Sequence, residues 1–406
     1  MRSRKNEKQS PGNSSSARTN GDDLRRALDW IVSDKIFAGV TLHGNVKWTA
    51  AALVRVAVFW MWSAKSSLVE AADEGMGCVK RIYGETVVKS YQTLVNGLHR
   101  YSHQLLPILR SRLQGLMQQC DGTSFRVGLW LALAVDGSRV NVPRTLPNER
   151  RFCKPKKKSK RKKKSKKRRG RSATSKRAPT HKKKHYDPQP VGPQMWLTMI
   201  WHLGQRMPWS WKTGPSYSSE RQHVLEMLRR EKFPENTLFC GDAGFVGYDL
   251  WSSIIDAEHN FLIRVGGNVR LLTKLGYYAR ERDGIVYVWP DSAARKKQPP
   301  LTLRLIHLKG ERGDVYLLTN VLNSRRLSSA LASRLYKLRW GIELQFRTLK
   351  QTFGRRTLRS RTPDRAYAEL EWSLLGLWMI HLFAVKEQVA IGEPPKQTSA
   401  AMAIHV

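Results

Sequence analysis

Two kinds of hydrophobic pattern meet at about Gly122. Before that point, apolar residues recur at helical spacing, as at Leu24, Leu28 and Ile31. After it come continuous apolar runs such as Val127–Val135, which are typical of strands buried on both faces. The pattern therefore predicts a helical N-terminal domain followed by a domain that contains a buried sheet.

The N-terminal domain is predicted over residues 22–121 as several short helices. Ser66-Ser67 is suited to cap one of them, and Gly75 is expected to end that helix. A helix-turn-helix around Leu68–Leu98 and a plain helical bundle fit the pattern equally well. Residues 1–21 are rich in Ser, Asn, Gly and basic residues, so we expect a disordered tail there.

The second domain has the pattern of an α/β enzyme. Strands alternate with helices and are interrupted by a β-rich block over residues 261–321. The strand Val127–Val135 is expected to end in Asp136-Gly137-Ser138, and the strand Thr237–Cys240 in Gly241-Asp242-Ala243-Gly244. Helices are predicted over Leu327–Gly354 and Asp364–Val389.

Charge points to a polyanionic partner. The chain has 72 Lys and Arg against 32 Asp and Glu, a formal charge of +40, and 41% hydrophobic residues are enough for a core. Nucleic acid is the commonest such partner, and an anionic membrane is the competing one. No apolar stretch reaches the roughly 18 residues of a spanning helix, so no membrane is expected. The four cysteines are far apart, which favours a reducing cytoplasm.

A basic tract over residues 154–184 holds 19 of the Lys and Arg and no acid. Without it the chain still has a net charge of +21. The tract is too charged to fold alone. We favour a nonspecific DNA clamp, with a localisation signal and an inert solvated loop as alternatives.

Candidate chemistry lies first in Tyr336, Arg339, Glu343 and Lys350. On one continuous helix these side chains fall within about 60° of arc, beside an apolar stripe. A charged shoulder on an ordinary amphipathic helix would give the same pattern.

Two aspartates beside glycines add to this set. Asp136 and Asp242 each follow a predicted strand, where ligands of open α/β sheets gather. With Glu343 they make three carboxylates that suit two Mg²⁺ ions, with Mn²⁺ as a substitute. Tyr336, Arg339 and Lys350 would hold the flanking phosphates. Taken singly, each Asp-Gly pair is also an ordinary turn sequence.

These motifs together resemble one family. Tyr336, Arg339, Glu343 and Lys350 match the Y-(2)-R-(3)-E-(6)-K signature of DDE transposases of the insertion-sequence-4 type, while VDGS at 135–138 and GDAGF at 241–245 resemble the two Asp motifs. The basic tract is a departure from the family pattern.

The resemblance implies a ribonuclease-H-like catalytic domain over residues 122–355, with Asp136, Asp242 and Glu343 as its metal-binding triad. It also makes residues 261–321 a β-rich insertion. The helical region 22–121 then becomes the DNA-binding domain, and the helical region 356–406 is a candidate for dimerisation.

The activity implied is cleavage of insertion-sequence ends and transfer of their 3′-hydroxyls into target DNA. The expected setting is the nucleoid of a bacterial host, with a homodimer in the complex with double-stranded DNA. Family members often form a hairpin that needs a flipped base, and Trp289 or Trp340 could stack on it. A DNA-binding protein with an inactive triad, and a nuclease without strand transfer, are the alternatives.

Overall fold

The computed structural model describes residues 14–84, 88–120, 122–155, 192–265, 278–280, 284–288, 300–310 and 313–393, and the helices, strands and contacts of the protein are those of these residues. Trp289, most of the basic tract and residues 1–13 lie outside the described residues. Predictions that fall there are untouched by the structure.

Four helices form the N-terminal unit. The first begins inside the predicted tail, at Ser14. The second is apolar on all sides and almost entirely buried, as expected for a helix at the centre of a bundle. The fourth has 30 residues with Pro107 inside it, so short helices throughout were a wrong prediction. The helices are α1 (Ser14–Ile31), α2 (Ala50–Trp62), α3 (Leu68–Tyr83) and α4 (Tyr91–Cys120).

Helix α3 begins as predicted but does not end at Gly75. The Ser67 hydroxyl accepts hydrogen bonds from the first turn, whereas the helix continues to Gly84, whose φ of 84° suits glycine. A Cβ atom on Gly75 would lie 3.0 Å from the backbone nitrogen of Trp60 in α2. Gly75 therefore serves close packing of two helices and is not a stop signal.

One nine-stranded mixed sheet forms the rest of the core, in the order β3-β2-β1-β4-β5-β9-β8-β7-β6. Strands β1, β4 and β5 are parallel, and the other pairings are antiparallel. The strands are β1 (Leu131–Asn141), β2 (Gln194–His202), β3 (Met207–Pro215), β4 (Thr237–Gly241), β5 (Asn260–Arg264), β6 (Tyr278–Arg280), β7 (Ile285–Val288), β8 (Leu301–Leu308) and β9 (Val315–Thr319).

The helices around this sheet are α5 (Gly122–Phe125), α6 (Leu146–Phe152), α7 (Glu220–Arg230), α8 (Tyr248–Asp256), α9 (Ser329–Leu338), α10 (Gly341–Gln351) and α11 (Pro363–Ala390). Two 3₁₀ turns cover Asp34–Phe37 and Ala243–Phe245. The prediction of a mixed α/β chain with helices at both ends is thus confirmed. The β-rich block, however, extends the central sheet through the pairing of β9 with β5.

Asp136 lies within a strand, so the predicted turn at Asp136-Gly137-Ser138 is wrong. Strand β1 runs on to Asn141 because β2 pairs with it along that whole length. The parallel pairing of β1 with β4 ends at the pair Ala134 and Cys240. Asp136 therefore lies just beyond the end of the β1–β4 pairing, at an open position of the sheet.

The single helix predicted through Tyr336–Lys350 is two helices, α9 and α10. At the junction the Ile342 and Glu343 N–H groups donate to the carbonyls three residues earlier. Gly341 lies against the buried Trp201 ring, and a Cβ atom there would be 2.1 Å from Trp201 Cη2. This contact with a distant part of the chain leaves no room for a side chain at position 341, where α10 begins.

Helix α11 joins the N-terminal helices to the sheet. The Trp62 indole donates to the Gly376 carbonyl, and Glu371 accepts from Arg110 of α4 and Trp211 of β3. Its length and composition would allow it to cross a membrane, but 78% of its most apolar window is buried inside the protein. Its apolar residues serve as core.

Candidate active site

Asp136 and Asp242 come together through the register of two parallel strands. Ala134 of β1 is paired with Cys240 of β4. Asp136 comes two positions after Ala134, and Asp242 comes two positions after Cys240. Because side chains alternate along a strand, both aspartates continue the same face. The local backbone helps to fix them: Asp136 Oδ1 accepts from the Gly137 N–H at 2.8 Å, and Asp242 Oδ1 from the Gly244 N–H at 2.8 Å.

Glu343 joins this site from the first turn of α10, through Arg339. The Arg339 guanidinium lies 3.9 Å from the Asp136 carboxylate and 3.7 Å from that of Glu343. Only 4% of the Arg339 side chain is exposed, against 45% for Glu343. Arg339 is thus a buried cation that faces two of the three predicted carboxylates, and it is not displayed as a free phosphate-binding side chain.

The other predicted residues surround this centre with different exposures. Lys350 Nζ donates to Ser138 Oγ of β1 at 2.6 Å. The Tyr336 side chain is buried, and its hydroxyl has no partner within the described residues. Trp340 is 53% exposed, and its ring centroid lies 5.2 Å from the Arg339 guanidinium.

The sequence profile of the "Transposase DDE domain" family matches residues 131–379, a segment that holds all three carboxylates. The chain belongs to the DDE transposases, of the insertion-sequence-4 type.

This transposase is similar to two curated proteins. It is 31% identical over 172 residues to Transposase InsG for insertion sequence element IS4 of Escherichia coli (strain K12), covering 40% of this chain and 37% of that protein. It is 25% identical over 150 residues to a protein of Sinorhizobium fredii named as a transposase, y4zB, covering 35% of this chain and 41% of that protein. The chain thus spans about two fifths of the length of each.

Among solved structures, the transposase aligns with the piggyBac transposase synaptic complex with hairpin DNA. The TM-score is 0.41 at 12% sequence identity, covering 94% of this chain and 78% of the other.

Burial and mutual repulsion shape the electrostatics of the transposase site. Burial raises the pKa of Asp136 to about 6, with Asp242 and Glu343 adding to the effect while the Gly137 N–H and Arg339 oppose it. Burial, together with the charge of Arg356, lowers the pKa of Lys350. At Asp136, burial and the two neighbouring carboxylates therefore outweigh the stabilising effects of the Gly137 N–H and Arg339 on the ionised form.

A fourth acid, Glu220, has no role in the sequence prediction. Burial, with the charges of Asp136 and Asp242, raises the pKa of Glu220 to about 7, while the charge of Arg139 opposes this shift. Glu220 begins α7, after the turn that follows β3, and its carboxyl group lies beside Gly137, the residue after Asp136. In the sequence it is one acid in the first turn of an amphipathic helix, and nothing local marks it as part of a site.

Divalent metal ions are used generally by transposase DDE domains. The carboxylates of the site repel each other, and they lie beside glycines that leave space close to the backbone. Their oxygens are the kind of ligand that such ions prefer. In the described part of the chain, however, no three of these groups are gathered tightly enough to share one ion. The residue types therefore suit a divalent ion. In this structure the positive charge between Asp136 and Glu343 is the guanidinium of Arg339.

Proposed function

We propose that this transposase binds the ends of an insertion sequence, cuts them by metal-dependent phosphodiester hydrolysis and transfers the 3′-hydroxyl ends into target DNA. One observation carries the proposal: Asp136 and Asp242 lie on one face where the pairing of two parallel strands ends, and Arg339 links Asp136 to Glu343. This is an arrangement of carboxylates around a site for reacting phosphate, on a chain of formal charge +40.

The fold assignment within this proposal is a ribonuclease-H-like catalytic core. It is supported by the strand order β3-β2-β1-β4-β5, in which β1, β4 and β5 are parallel and β2 is antiparallel to β1. Asp136 lies in β1 just beyond its pairing with β4, and Asp242 follows β4, at the centre of that order. We place the helical DNA-binding domain at residues 22–121 and the catalytic domain at 122–355, as the sequence predicts.

In the proposed reaction, Asp136, Asp242 and Glu343 hold the divalent cations. Two such ions, when bound, supply an activated water and stabilise the attacking and leaving oxygens. Arg339 keeps Asp136 and Glu343 facing each other from its buried position. Lys350, fixed by Ser138, provides a positive charge for the phosphate beside the cut.

Exposed aromatic surface supports a role in holding DNA. Trp340 has a half-exposed ring, so it can stack on an unpaired base, and the buried Arg339 guanidinium lies 5.2 Å from the centre of that ring. Trp289, the other predicted stacking residue, lies outside the described residues. Tyr336 is buried, and we assign it the support of Arg339, 5.5 Å from its ring.

The setting of the reaction is also proposed. We place the transposase on the nucleoid of a bacterial cytoplasm, acting on double-stranded DNA as a homodimer. The basic tract at residues 154–184 adds nonspecific affinity, because each phosphate it neutralises adds about 0.9 to the slope of log affinity against log salt. Deleting the tract should flatten that slope by several units, and an unchanged slope would exclude this role.

The test supplies a labelled insertion-sequence end with Mg²⁺, with and without a target duplex. Cleavage followed by joining to the target is the expected result. Cleavage without joining would identify a nuclease, and binding without cleavage would identify a DNA-binding protein with an inactive triad. Sequencing the inverted repeats that flank the gene gives the substrate.

A further inference from the structure

The loop over residues 352–362 joins α10 to α11 and is fixed against the end of β1. The Asn141 N–H donates to the Arg356 carbonyl at 3.0 Å, and the Leu358 N–H donates to the Asn141 carbonyl at 2.8 Å. The Arg356 N–H in turn donates to the Lys350 carbonyl of α10 at 3.2 Å. Hydrogen bonds to β1 and to α10 therefore give the backbone of Arg356 a defined position.

The charged groups on the inner side of this loop are paired with each other. Glu369 of α11 is completely buried, and it accepts hydrogen bonds from the backbone N–H groups of Arg359 and Ser360. The buried guanidinium of Arg355 lies 3.9 Å from the same carboxylate and donates to the Ser373 hydroxyl at 2.8 Å. Such a network holds the loop in place, because its buried polar groups would lose their partners if the loop moved.

The outer side of the loop carries positive charge that is not paired in this way. Arg356 follows Arg355 but is exposed, and within the described residues its guanidinium makes no hydrogen bond or ion pair. Lys350 is half-buried, donates to the uncharged Ser138 hydroxyl at 2.6 Å and pairs with no acid in the same part of the chain. Burial and the charge of Arg356 lower the pKa of Lys350, so the two cations repel each other. A bound anion would relieve this repulsion.

The two cations lie along β1 beyond Asp136. Ser138 follows Asp136 by two positions, so side-chain alternation places the hydroxyl that holds Lys350 on the face of Asp136. Asn141, which holds Arg356, follows Asp136 by five positions. At about 3.3 Å per residue, Ser138 and Asn141 lie about 7 and 16 Å from Asp136 along the strand. Duplex DNA rises about 3.4 Å for each phosphate of one strand, so these lengths correspond to about two to five nucleotides.

We propose that Arg356 is a further DNA-binding residue, which holds a second backbone phosphate next to the phosphate assigned to Lys350 and farther from the cut. The ligand is a phosphodiester of the insertion-sequence end, so the proposal rests on the proposed function. A guanidinium can donate two parallel hydrogen bonds to a phosphate, whereas an ammonium acts as a point charge. Because the loop is fixed to β1, the two contacts determine how the DNA strand lies over the carboxylates.

The test scans the DNA with single methylphosphonates, each of which replaces one charged phosphate by an uncharged group, within about five nucleotides of the cut. Fluorescence anisotropy measures binding of the full-length protein in EDTA, so that no DNA is cut. We expect Arg356→Gln to bind unmodified DNA about tenfold more weakly than the wild type. It should also be insensitive to the methylphosphonate at one position that weakens the wild type. Lys350→Ala should lose its sensitivity at the neighbouring position nearer the cut.

Two further variants separate a lost contact from a general defect. Arg356→Lys keeps the positive charge, so it should keep the sensitivity at the position that Arg356→Gln loses. Arg229→Gln removes an exposed charge from the last turn of α7, and it should keep the wild-type affinity and the wild-type pattern of sensitive positions.

Wild-type affinity and sensitivity in Arg356→Gln would overturn the proposal and make Arg356 a solvated side chain. A loss of affinity in Arg356→Gln with every sensitive position retained would also overturn it, because a fixed contact depends on one phosphate. Cleavage of the insertion-sequence end by the wild type in Mg²⁺ would leave the proposed function standing in both cases. A wild type that neither binds this end better than unrelated DNA nor cuts it would overturn the proposed function itself.

Discussion

The Arg339 guanidinium lies 3.9 Å from the Asp136 carboxylate, with only 4% of the arginine side chain exposed. The same guanidinium lies 3.7 Å from Glu343. One buried positive charge is therefore set between two carboxylates that come from different parts of the chain. In the absence of a divalent cation, this charge is what opposes their repulsion.

Replacing Arg339 by Met should lower the free energy of unfolding by about 1–3 kcal/mol in EDTA. Met keeps most of the volume, so the loss reflects the missing charge between Asp136 and Glu343. Added Mg²⁺ should reduce the loss, because the cation replaces the guanidinium charge. Urea denaturation with and without Mg²⁺ measures both effects. Arg347→Met, at an exposed position of α10, is the control, and a loss independent of Mg²⁺ would mean that Arg339 acts through packing.

Replacing Asp136 by Asn should stabilise the metal-free protein at pH 8 but not at pH 4. The folded-state pKa of Asp136 is raised from 3.8 to about 6, so the folded state binds its proton more tightly than the unfolded state does. That contribution to stability is complete below pH 4 and is lost as the pH rises through 6. An Asn side chain does not ionise, so the variant does not lose this stability as the pH rises.

We expect a gain of about 1–3 kcal/mol at pH 8, measured by denaturation in EDTA. Asp73→Asn, which changes an exposed acid of α3, should shift stability by less than about 0.5 kcal/mol. An equal gain for Asp136→Asn at both pH values would show that its carboxyl group is not destabilised by the site.

Replacing Lys350 by Ala should weaken binding to an insertion-sequence end and reduce the salt slope by about one unit. The reason is that Lys350 holds its charge beside Asp136 through Ser138. Fluorescence anisotropy over a range of KCl concentrations measures the slope. Ser138→Ala removes the hydrogen bond but not the charge, so its slope should stay that of the wild type. If Lys350→Ala also keeps the wild-type slope, Lys350 makes no phosphate contact.

Replacing Gly341 by Ala should cost about 1–3 kcal/mol of stability. The new Cβ atom would lie 2.1 Å from the buried Trp201 ring, so α10 or the indole must move. Gly115→Ala is the matched control: Gly115 is in α4 with nothing within 4 Å of its Cβ position, so Ala should stabilise by about 0.5–1 kcal/mol. Thermal denaturation compares the two, and a neutral Gly341→Ala would contradict the close contact.

Local signals in the sequence were sufficient to predict those features in which a residue contacts its neighbours along the chain. The Ser67 cap and the four-residue spacing of Arg339 and Glu343 are of this kind. The apolar runs that end near Asp136 and Asp242 also indicated where parallel strands would bring two acids together.

The features that the sequence did not predict depend on distant contacts. Trp201 lies against Gly341 at the start of α10, and β1 passes through Asp136 because β2 pairs with it. Glu220 reaches Gly137 only because the turn after β3 places the start of α7 there. Periodicity within a segment carries no information about such contacts.

Single-turnover cleavage of a labelled insertion-sequence end in Mg²⁺ separates the chemistry of the site from the binding of DNA. Asp136, Asp242 and Glu343 are proposed to hold the cations for cleavage, whereas DNA affinity comes from phosphate contacts. Asp136→Asn, Asp242→Asn and Glu343→Gln should each cut at least about a thousandfold more slowly than the wild type. Each should still bind the end within about threefold of the wild-type affinity. Cleavage at the wild-type rate by any one of these purified variants would contradict its place in the site.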